Sequence, residues 1–323
     1  CDLFVLVVFN HQNINDMAKI LVATVKPFAP AAVEGIKKIA QKANYEVALL
    51  EKYESNDQLL EAVADADALI VRSDKVTKEV IEAGKNLKIV VRGGAGYDNV
   101  DLEAATANNV VVMNTPGQNS NAVAELAFGM MVYLARGGFN GKAGTELRNK
   151  TLGIHAYGNV GRYVGEIAKG FGMDVRAFDP FKDKAEIEKD GIKALDSIEE
   201  LYSTCQYVSL HIPSNEKTKK SIGFDLLSKM PENGVLVNTA RKEVIDEDGL
   251  EKAMEERSDL QYISDIAPDN KDVFAQKFEG RYFFTPKKMG AQTAEANINA
   301  GIAAVNQIIN FMEKDDRTFQ VNK

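Results

Sequence analysis

"LGIHAYGNVGRYVGEIAKGFGMDVRAFDP" (152–180) decides the fold. A short apolar strand leads into a glycine-containing turn, an amphipathic helix follows, and a second strand ends at an acidic residue, Asp179. The fingerprint of a dinucleotide-binding βαβ unit is Gly-x-Gly-x-x-Gly, and Ala156, Gly158 and Gly161 occupy its three glycine positions. The segment therefore predicts a Rossmann unit in which Ala156 departs from the fingerprint.

The same segment predicts which dinucleotide binds. Gly158 lets the backbone approach a pyrophosphate, and the N–H groups of Asn159 and Val160 at the helix N-terminus favour its charge. Asp179 can accept a hydrogen bond from a ribose 2′-hydroxyl and would repel a 2′-phosphate. We expect NAD rather than NADP, with Lys182 the nearby cation that could favour the phosphate.

Short apolar runs alternate with helical patterns along the rest of the chain, which predicts parallel sheets. We expect strands at 19–25, 45–51, 67–73, 87–94 and 110–116, and again at 152–157, 173–179, 207–213, 234–240, 260–266 and 282–286. Helices are expected at 30–43, 57–65, 77–83, 101–107 and 159–171, with two longer ones at 119–138 and 293–313. The fold class is thus α/β, with two doubly wound parallel-sheet domains linked by two long helices.

The predicted domains follow from this order. Residues 18–116 plus 292–323 form a substrate domain, and 117–291 form the NAD-binding Rossmann domain, with the ligands between them at the carboxyl ends of the strands. The Gly-rich stretch 136–150 is linker-like. Residues 1–17 are expected to be a disordered leader.

Composition limits the class of protein. The chain has 323 residues, 45% hydrophobic and 27% charged, and a net charge of -8, which argues against nucleic acid or an anionic membrane as partner. No run of 18 apolar residues occurs. Two cysteines, Cys1 and Cys205, are too few for a disulfide framework and suit a reducing cytoplasm. We expect Cys205 to be a buried core residue; a nucleophile is the alternative, but it has no evident base nearby.

Six motifs carry a family resemblance. They are "VRSDKVT" (71–77), "RGGAGYDNVDLEAAT" (92–106), "MNTPGQNSNAVAEL" (113–126), "LHIP" (210–213), "VNTARKEVIDEDGL" (237–250) and "ISDIAP" (263–268). From about Ala18 to Lys323 the chain resembles the D-2-hydroxyacid dehydrogenases, and most narrowly their phosphoglycerate dehydrogenase group. The resemblance implies a flavodoxin-like substrate domain, a small anionic substrate, a homodimer and no metal. Longer members add regulatory domains after the final helix, and we expect no serine-sensing module here.

The resemblance also implies roles for single residues. Arg241 would bind the substrate carboxylate and the reacting carbonyl oxygen, and Gly93 and Gly94 would hold the same carboxylate through their N–H groups. Arg72 would bind the phosphate. A solvated Arg241 and a surface salt bridge at Arg72 are the alternatives. Ser73 and Arg92 complete the implied substrate site, and the implied cofactor contacts beyond the glycine loop and Asp179 are Pro180, His211, Ile212, Pro213, Thr239, Ala240, Asp265, Gly290 and Ala291. Asp265 would orient the nicotinamide amide.

The reaction centre departs from the family. Its members place a histidine before the segment that corresponds to "GAQTAEA" (290–296), and this chain has Lys288 there, or Lys287 if the register shifts by one. The glutamate that supports the histidine is missing, and Asp269 or Asn270 stands near its place. We expect Lys288 to be the acid/base; an electrostatic role or a solvated turn are the alternatives. His155, in a strand, and His11, in the leader, do not compete well.

The resemblance therefore implies NAD-dependent oxidation of 3-phosphoglycerate to 3-phosphohydroxypyruvate, the entry to serine synthesis. A glyoxylate/hydroxypyruvate reductase on the same fold is the nearest alternative. An NAD-binding regulatory protein that has lost the chemistry is an alternative of another class.

Overall fold

The computed structural model describes residues 17–322, so all of the predicted leader except Met17 lies outside the described residues. Residue contacts divide the chain into two compact units. One is Asn119–Ala296, and the other combines the residues up to Gln118 with those from Asn297 onward. The sequence prediction placed these boundaries after residue 116 and before residue 292.

The first unit is built on a five-stranded sheet whose strands all run parallel. Its elements are β1 (Lys19–Thr24), α1 (Pro30–Lys42), β2 (Glu46–Glu51), α2 (Asn56–Val63), β3 (Ala68–Val71), α3 (Lys78–Ala83), β4 (Ile89–Arg92), α4 (Leu102–Ala107) and β5 (Val111–Asn114). The strand order is β2-β1-β3-β4-β5, which is the flavodoxin order. The ends of β1, β3 and β4 consequently lie side by side at one edge of the sheet.

Local sequence explains these elements. β3, "ALIV", is buried at all four residues, as expected of a parallel strand covered on both faces. Ser55 and Gln58 form a capping box at the start of α2, and the Asp101 side chain accepts the Ala104 N–H at the start of α4. Each cap satisfies backbone donors that the first helical turn leaves without a partner.

The second unit contains a seven-stranded parallel sheet. Its elements are α5 (Ser120–Ala135), β6 (Thr151–His155), α6 (Asn159–Gly170), β7 (Asp174–Phe178), α7 (Lys184–Glu188), β8 (Lys193–Ala194), α8 (Ile198–Thr204), β9 (Tyr207–Leu210), α9 (Phe224–Leu227), β10 (Val235–Asn238), α10 (Glu247–Glu256), β11 (Gln261–Ser264), α11 (Lys271–Lys277) and β12 (Tyr282–Phe284). The order β12-β11-β10-β9-β6-β7-β8 is the Rossmann order with a seventh strand added at one edge. A last helix, α12 (Ala294–Lys314), includes the boundary between the units.

The structure adds elements that the apolar pattern did not predict. They are β8 and the helices α7 to α11, which range from two to ten residues. Most are too short to show a clear helical period in the sequence. One face of α5 is exposed, at Asn121, Glu125 and Gly129.

Candidate functional site

The glycine loop of the second unit has the form of an anion site. Gly158 is the N-cap of α6 and has no side chain to cap it, while the first N–H groups of a helix have no partner within it. A Cβ atom built on Gly158 would meet nothing within 4 Å, so there is space in front of these donors. The loop can therefore receive the pyrophosphate of a dinucleotide on the N–H groups of Asn159 and Val160.

Gly161 and Ala156 occupy the two other positions of the fingerprint, and only Ala156 has a strained backbone. A Cβ atom on Gly161 would lie 2.4 Å from the Ala156 carbonyl oxygen, so only glycine allows α6 to pack this closely on the turn. Ala156, at the first glycine position, has a φ of 78°. An L-residue in this left-handed region costs roughly 1–2 kcal/mol, so the departure from the fingerprint is strained.

Asp179 follows β7 and holds the glycine loop. Its Oδ2 accepts the Tyr157 N–H at 2.8 Å, and its Oδ1 accepts the Phe181 N–H at 2.8 Å. A carboxylate accepts about four hydrogen bonds, so Asp179 can also accept from a ribose hydroxyl. Lys182, the nearby cation that could favour a 2′-phosphate, pairs with Glu186 at 3.0 Å.

Two histidines meet where the strand order of the sheet reverses. The His211 N–H donates to the His155 carbonyl at 3.0 Å, and the His211 ring lies 3.0 Å from the Ser209 hydroxyl. Burial lowers the pKa of His155 to about 4, against a smaller opposing effect of Asp179. Burial and the nearby His155 lower the pKa of His211 to about 3. Both rings are thus neutral near pH 7.

Asn238, the last residue of β10, organises the loop that carries Arg241. Its Oδ1 accepts the Ala240 N–H at 3.0 Å, and its Nδ2 donates to the Arg241 carbonyl at 3.0 Å. Asn238 is 2% exposed, whereas the Arg241 side chain is exposed. Thr239, between them, has a buried hydroxyl oxygen with no hydrogen-bond partner among the described residues.

Asp265 follows β11, the neighbour of β10, and its carboxylate is buried. Oδ1 accepts the Met289 N–H at 2.7 Å, and Oδ2 accepts the Gly290 N–H at 2.8 Å. The Thr285 hydroxyl oxygen lies 2.6 Å from the Asp265 carbonyl oxygen and 3.1 Å from Oδ1. These donors all belong to the segment between β12 and α12. Asp265 therefore fixes the backbone on which Lys288 stands.

Lys288 and Arg241 reach the same point. Lys288 Nζ lies 3.4 Å from the Ala240 carbonyl oxygen, and Arg241 Nη1 donates to that oxygen at 2.9 Å. The side chain of Lys287, the alternative in the shifted register, is exposed, and its carbonyl oxygen lies 2.9 Å from the Thr285 hydroxyl oxygen. Within the second unit the predicted acid/base and the predicted carboxylate-binding arginine are thus brought together.

Asp269, near the position of the missing glutamate, has another partner. Its Oδ1 accepts Lys242 Nζ at 2.6 Å, and this contact raises the pKa of Lys242. Glu247 accepts the N–H groups of Asp269 and Asn270 at 2.9 and 3.1 Å. The Asp269 carboxylate thus forms an ion pair with Lys242.

The predicted phosphate site lies in the first unit, at the ends of β3 and β4. Arg72 Nη1 donates to the Lys26 and Pro27 carbonyls at 3.0 and 2.8 Å, and its guanidinium lies 5.2 Å from the centre of the Phe28 ring. Burial lowers the pKa of Arg72, and Asp74 opposes this. Arg92 Nε donates to the Arg72 carbonyl at 2.8 Å, so two guanidinium groups are held at neighbouring strand ends.

The N–H groups of Gly93 and Gly94, which were predicted to bind the substrate carboxylate, already donate to backbone carbonyls. The Gly93 N–H donates to the Val71 carbonyl at 2.8 Å, and the Gly94 N–H donates to the Arg92 carbonyl at 2.9 Å. A substrate carboxylate would have to replace these bonds. Ser73, by contrast, is exposed.

Sequence reasoning missed three residues that hold the site. Asn238 fixes the Arg241 loop, Thr285 bridges Asp265 to Lys287, and Asp74 accepts Val25 N–H at 2.6 Å and Arg72 N–H at 3.4 Å. Each is a buried polar residue at or just beyond the end of an apolar strand. A polar residue at the end of an apolar run is therefore the feature of the sequence that could have identified them.

Some functions find no support in the described part of the chain. Between residues 17 and 322, no group of three or more His, Cys, Asp and Glu side chains is arranged to hold a metal ion, and no helix is long and apolar enough to cross a membrane. Cys205 is buried, and burial raises the pKa of its thiol to about 11. This thiol is therefore protonated near neutral pH and is a poor nucleophile.

Comparison with known families gives one match over nearly the whole chain. The model of the D-isomer specific 2-hydroxyacid dehydrogenase catalytic domain matches residues 20–322.

Two curated relatives carry different named activities. A D-3-phosphoglycerate dehydrogenase from Methanocaldococcus jannaschii is 36% identical in an alignment 312 residues long that covers 90% of this chain and 57% of that protein. A hydroxypyruvate reductase from Thermotoga maritima is 34% identical in an alignment 298 residues long that covers 86% of this chain and 95% of that protein. The chain thus spans little more than half the length of the first relative and nearly all of the second.

Among solved structures, the crystal structure of 3-phosphoglycerate dehydrogenase from Entamoeba histolytica with bound NAD⁺ is 51% identical to this chain. The TM-score is 0.82, and the match covers 95% of this chain and 99% of that one.

Proposed function

The chain belongs to the D-isomer specific 2-hydroxyacid dehydrogenase family, and we propose that it oxidises 3-phosphoglycerate to 3-phosphohydroxypyruvate with NAD. The observation that best supports this substrate is a pair of guanidinium groups, those of Arg72 and Arg92, at the neighbouring ends of β3 and β4. Arginine suits planar, bidentate recognition of phosphate and carboxylate. A phosphorylated hydroxy acid carries both kinds of anion.

Arg72 can bind an anion without losing its present contacts. The two described bonds of its guanidinium go from Nη1 to the Lys26 and Pro27 carbonyls, and a guanidinium has five donors. These bonds hold the side chain in one orientation, which lowers the entropy lost on binding.

NAD is the proposed cofactor, and it would supply the acceptor for the hydride on C2. The N-terminus of α6 would bind the pyrophosphate, and Asp179 would accept from the adenosine ribose. The Entamoeba histolytica relative, whose structure contains NAD⁺, supports this assignment.

Arg241 and Lys288 would carry the chemistry at C2. Arg241 would bind the substrate carboxylate and stabilise the carbonyl oxygen that forms. As C2 loses its hydride, the Lys288 amine, once it has given up its own proton, would accept the proton of the C2 hydroxyl, so that a ketone and a protonated amine result. Their contacts to one carbonyl, that of Ala240, support a shared role.

Reduction of hydroxypyruvate or glyoxylate is the second candidate, because the Thermotoga maritima reductase matches over 95% of its own length. An unphosphorylated substrate needs no cation at Arg72. The two candidates therefore differ in whether kcat/KM is higher for phosphorylated or for unphosphorylated acids. An NAD-binding regulatory protein needs neither Arg72 nor Arg241.

Steady-state kinetics tests the proposal. We expect kcat/KM for 3-phosphoglycerate with NAD to exceed that for D-glycerate and D-lactate, and 3-phosphohydroxypyruvate to be reduced more efficiently than hydroxypyruvate or glyoxylate. A preference for the unphosphorylated acids would support the reductase. NAD binding without turnover of any of these acids would support the regulatory protein.

We further propose that the enzyme acts as a cytoplasmic homodimer at the entry to serine synthesis. Light scattering of the purified protein tests the dimer, which should give twice the mass of one chain.

A further inference from the structure

Asp265 is 1% exposed, and its carboxylate accepts two backbone N–H groups and lies 3.1 Å from the Thr285 hydroxyl oxygen. Removing a charged carboxylate from water is costly unless the group is fully hydrogen-bonded. Bonds from N–H and O–H donors to an ionised oxygen are short and strong, as the 2.7 and 2.8 Å distances to Met289 N and Gly290 N show. The position of Asp265 is therefore strongly coupled to the backbone that it binds.

That backbone is held on both sides of Lys288. After it, the Met289 and Gly290 N–H groups donate to Asp265. Before it, the Thr285 hydroxyl oxygen lies 2.6 Å from the Asp265 carbonyl oxygen, 3.1 Å from its carboxylate and 2.9 Å from the Lys287 carbonyl oxygen, so it packs between the two residues. The Cα atom of Lys288 consequently has little freedom to move relative to Asp265.

The acceptor that Lys288 reaches is tied to the same residue. The Asp265 N–H donates to the Asn238 carbonyl at 2.9 Å, and the Asn238 side chain fixes the Ala240 N–H. The Ala240 carbonyl then accepts from Lys288 and Arg241. A continuous set of hydrogen bonds thus runs from the Asp265 backbone to the carbonyl where the Lys288 and Arg241 side chains meet.

We propose that Asp265 is a positioning residue for Lys288, acting through the backbone of residues 285–290. The proposal rests on the proposed function for the role of Lys288. It differs from the role implied by the family resemblance, in which Asp265 orients the nicotinamide amide. The two roles predict different effects of one substitution, since the first acts only through Lys288 and the second acts on the cofactor.

A double-mutant cycle on the full-length protein separates them. Asp265→Asn keeps the size of the side chain but places an amide against an N–H donor, and we expect kcat to fall about tenfold or more with the Kd for NAD changed less than about threefold. In the Lys288→Ala background the same substitution should have almost no further effect on kcat. Additive losses, or a Kd for NAD that weakens in step with kcat, would overturn the proposal.

The basic limb of the pH dependence of kcat gives a second kinetic readout. If Asp265 positions Lys288, Asp265→Asn should shift this basic limb, because the environment of Lys288 changes. If Asp265 only contacts the nicotinamide, the basic limb should stay in place. Asp259→Asn is the matched control, because Asp259 also accepts a backbone N–H, from Asn233 at 2.7 Å, but pairs with Arg257. It should lower stability without moving the pH dependence, and an equal shift in both variants would contradict the proposal.

Hydrogen exchange tests the positioning without turnover. In the ligand-free protein, Asp265→Asn should accelerate exchange of the Met289 and Gly290 amides, and unchanged exchange would overturn the proposal even in an active enzyme. Failure of the proposed function appears separately, as absence of turnover in the wild type. If Asp265→Asn does not fold, Thr285→Val removes the hydroxyl that joins Asp265 to Lys287, and it should show a smaller loss of kcat that again disappears with Lys288→Ala.

Discussion

Arg241 and Lys288 donate to the same backbone oxygen, the carbonyl of Ala240, at 2.9 and 3.4 Å. The two residues are 47 positions apart in the sequence and come from loops that follow β10 and β12. The Ala240 carbonyl therefore brings the Arg241 guanidinium and the Lys288 amine to one point, as a substrate with a carboxylate beside a reacting hydroxyl would require.

Cofactor preference is the first prediction. We expect kcat/KM for NAD to exceed that for NADP at least about tenfold, because the Asp179 carboxylate would face the 2′-phosphate with like charge. Asp179→Ser should narrow the difference, although it also removes the acceptor for Tyr157 N–H and Phe181 N–H. Equal use of both cofactors by the wild type would contradict the prediction.

Arg72 provides the second prediction. Arg72→Ala should reduce kcat/KM for 3-phosphoglycerate about 10- to 150-fold, since a charge-assisted bond to phosphate is worth roughly 1.5–3 kcal/mol. The loss for D-glycerate should be much smaller. Because Arg72 also holds the Lys26 and Pro27 carbonyls, Arg72→Lys is the control that keeps the charge but loses the fork geometry. Equal losses for both substrates would mean that Arg72 is structural.

Ala156 gives a prediction about stability. Ala156→Gly should raise the free energy of unfolding by about 0.5–1 kcal/mol, because relief of the positive φ outweighs the larger conformational entropy of glycine in the unfolded chain. Ala177→Gly, in β7 and without a positive φ, is the matched control and should destabilise. Calorimetry measures both, and a lower melting temperature for Ala156→Gly would contradict the assignment of strain.

His155 predicts a dependence of stability on pH. Its pKa is lowered to about 4 in the folded protein and is about 6.5 when unfolded, so between these values the unfolded state binds more protons. Stability should therefore fall as the pH decreases from about 7 to 4, with His155 contributing on the order of 3 kcal/mol over this range. His211 acts in the same direction.

Urea unfolding at several pH values measures this effect. His155→Asn removes the titrating ring and should flatten the decrease between pH 6.5 and 4 relative to wild type. An unchanged slope in the variant would show that other groups cause it.

The sequence predicted the two sheets well because their strands are buried on both faces and appear as continuous apolar runs, such as "ALIV" of β3. It did not predict short elements such as β8, whose two residues carry no period. It could name Arg241 and Lys288 through a family resemblance, but not their common acceptor. Every residue type has a backbone carbonyl, so a hydrogen bond to one depends on where two loops meet and cannot be predicted from residue type.

The same limit applies to the supporting residues. Nothing in the sequence distinguishes Asn238, Thr285 and Asp74 from other polar residues. Their roles are visible only in the structure, where each is buried and contacts a backbone group of the site. Asp269 shows the opposite case. Its position suggested the missing glutamate, whereas its described partner is Lys242.

The choice between Lys288 and Lys287 is the most specific prediction. Lys288→Ala should lower kcat by roughly 10²–10⁴, the usual effect of losing a positioned acid/base, with the Kd for NAD little changed. Lys287→Ala should be nearly silent, because the described contact of Lys287 is made by its backbone carbonyl, which lies 2.9 Å from the Thr285 hydroxyl oxygen, and the substitution keeps that carbonyl. Each variant is the matched control of the other, since they remove the same side chain from adjacent exposed positions.

Two further variants separate catalysis by Lys288 from simple electrostatics. Lys288→Arg keeps the positive charge but cannot give up its proton near neutral pH, so an acid/base role predicts a large loss of kcat and an electrostatic role predicts a small one. Lys288→His should restore little activity, because Asp269 is paired with Lys242 and so gives the ring no carboxylate to orient it. If Lys287→Ala is the inactive variant, the register is wrong by one residue. Full activity in both alanine variants would mean that the two lysines form a solvated turn and that the proton passes through another group.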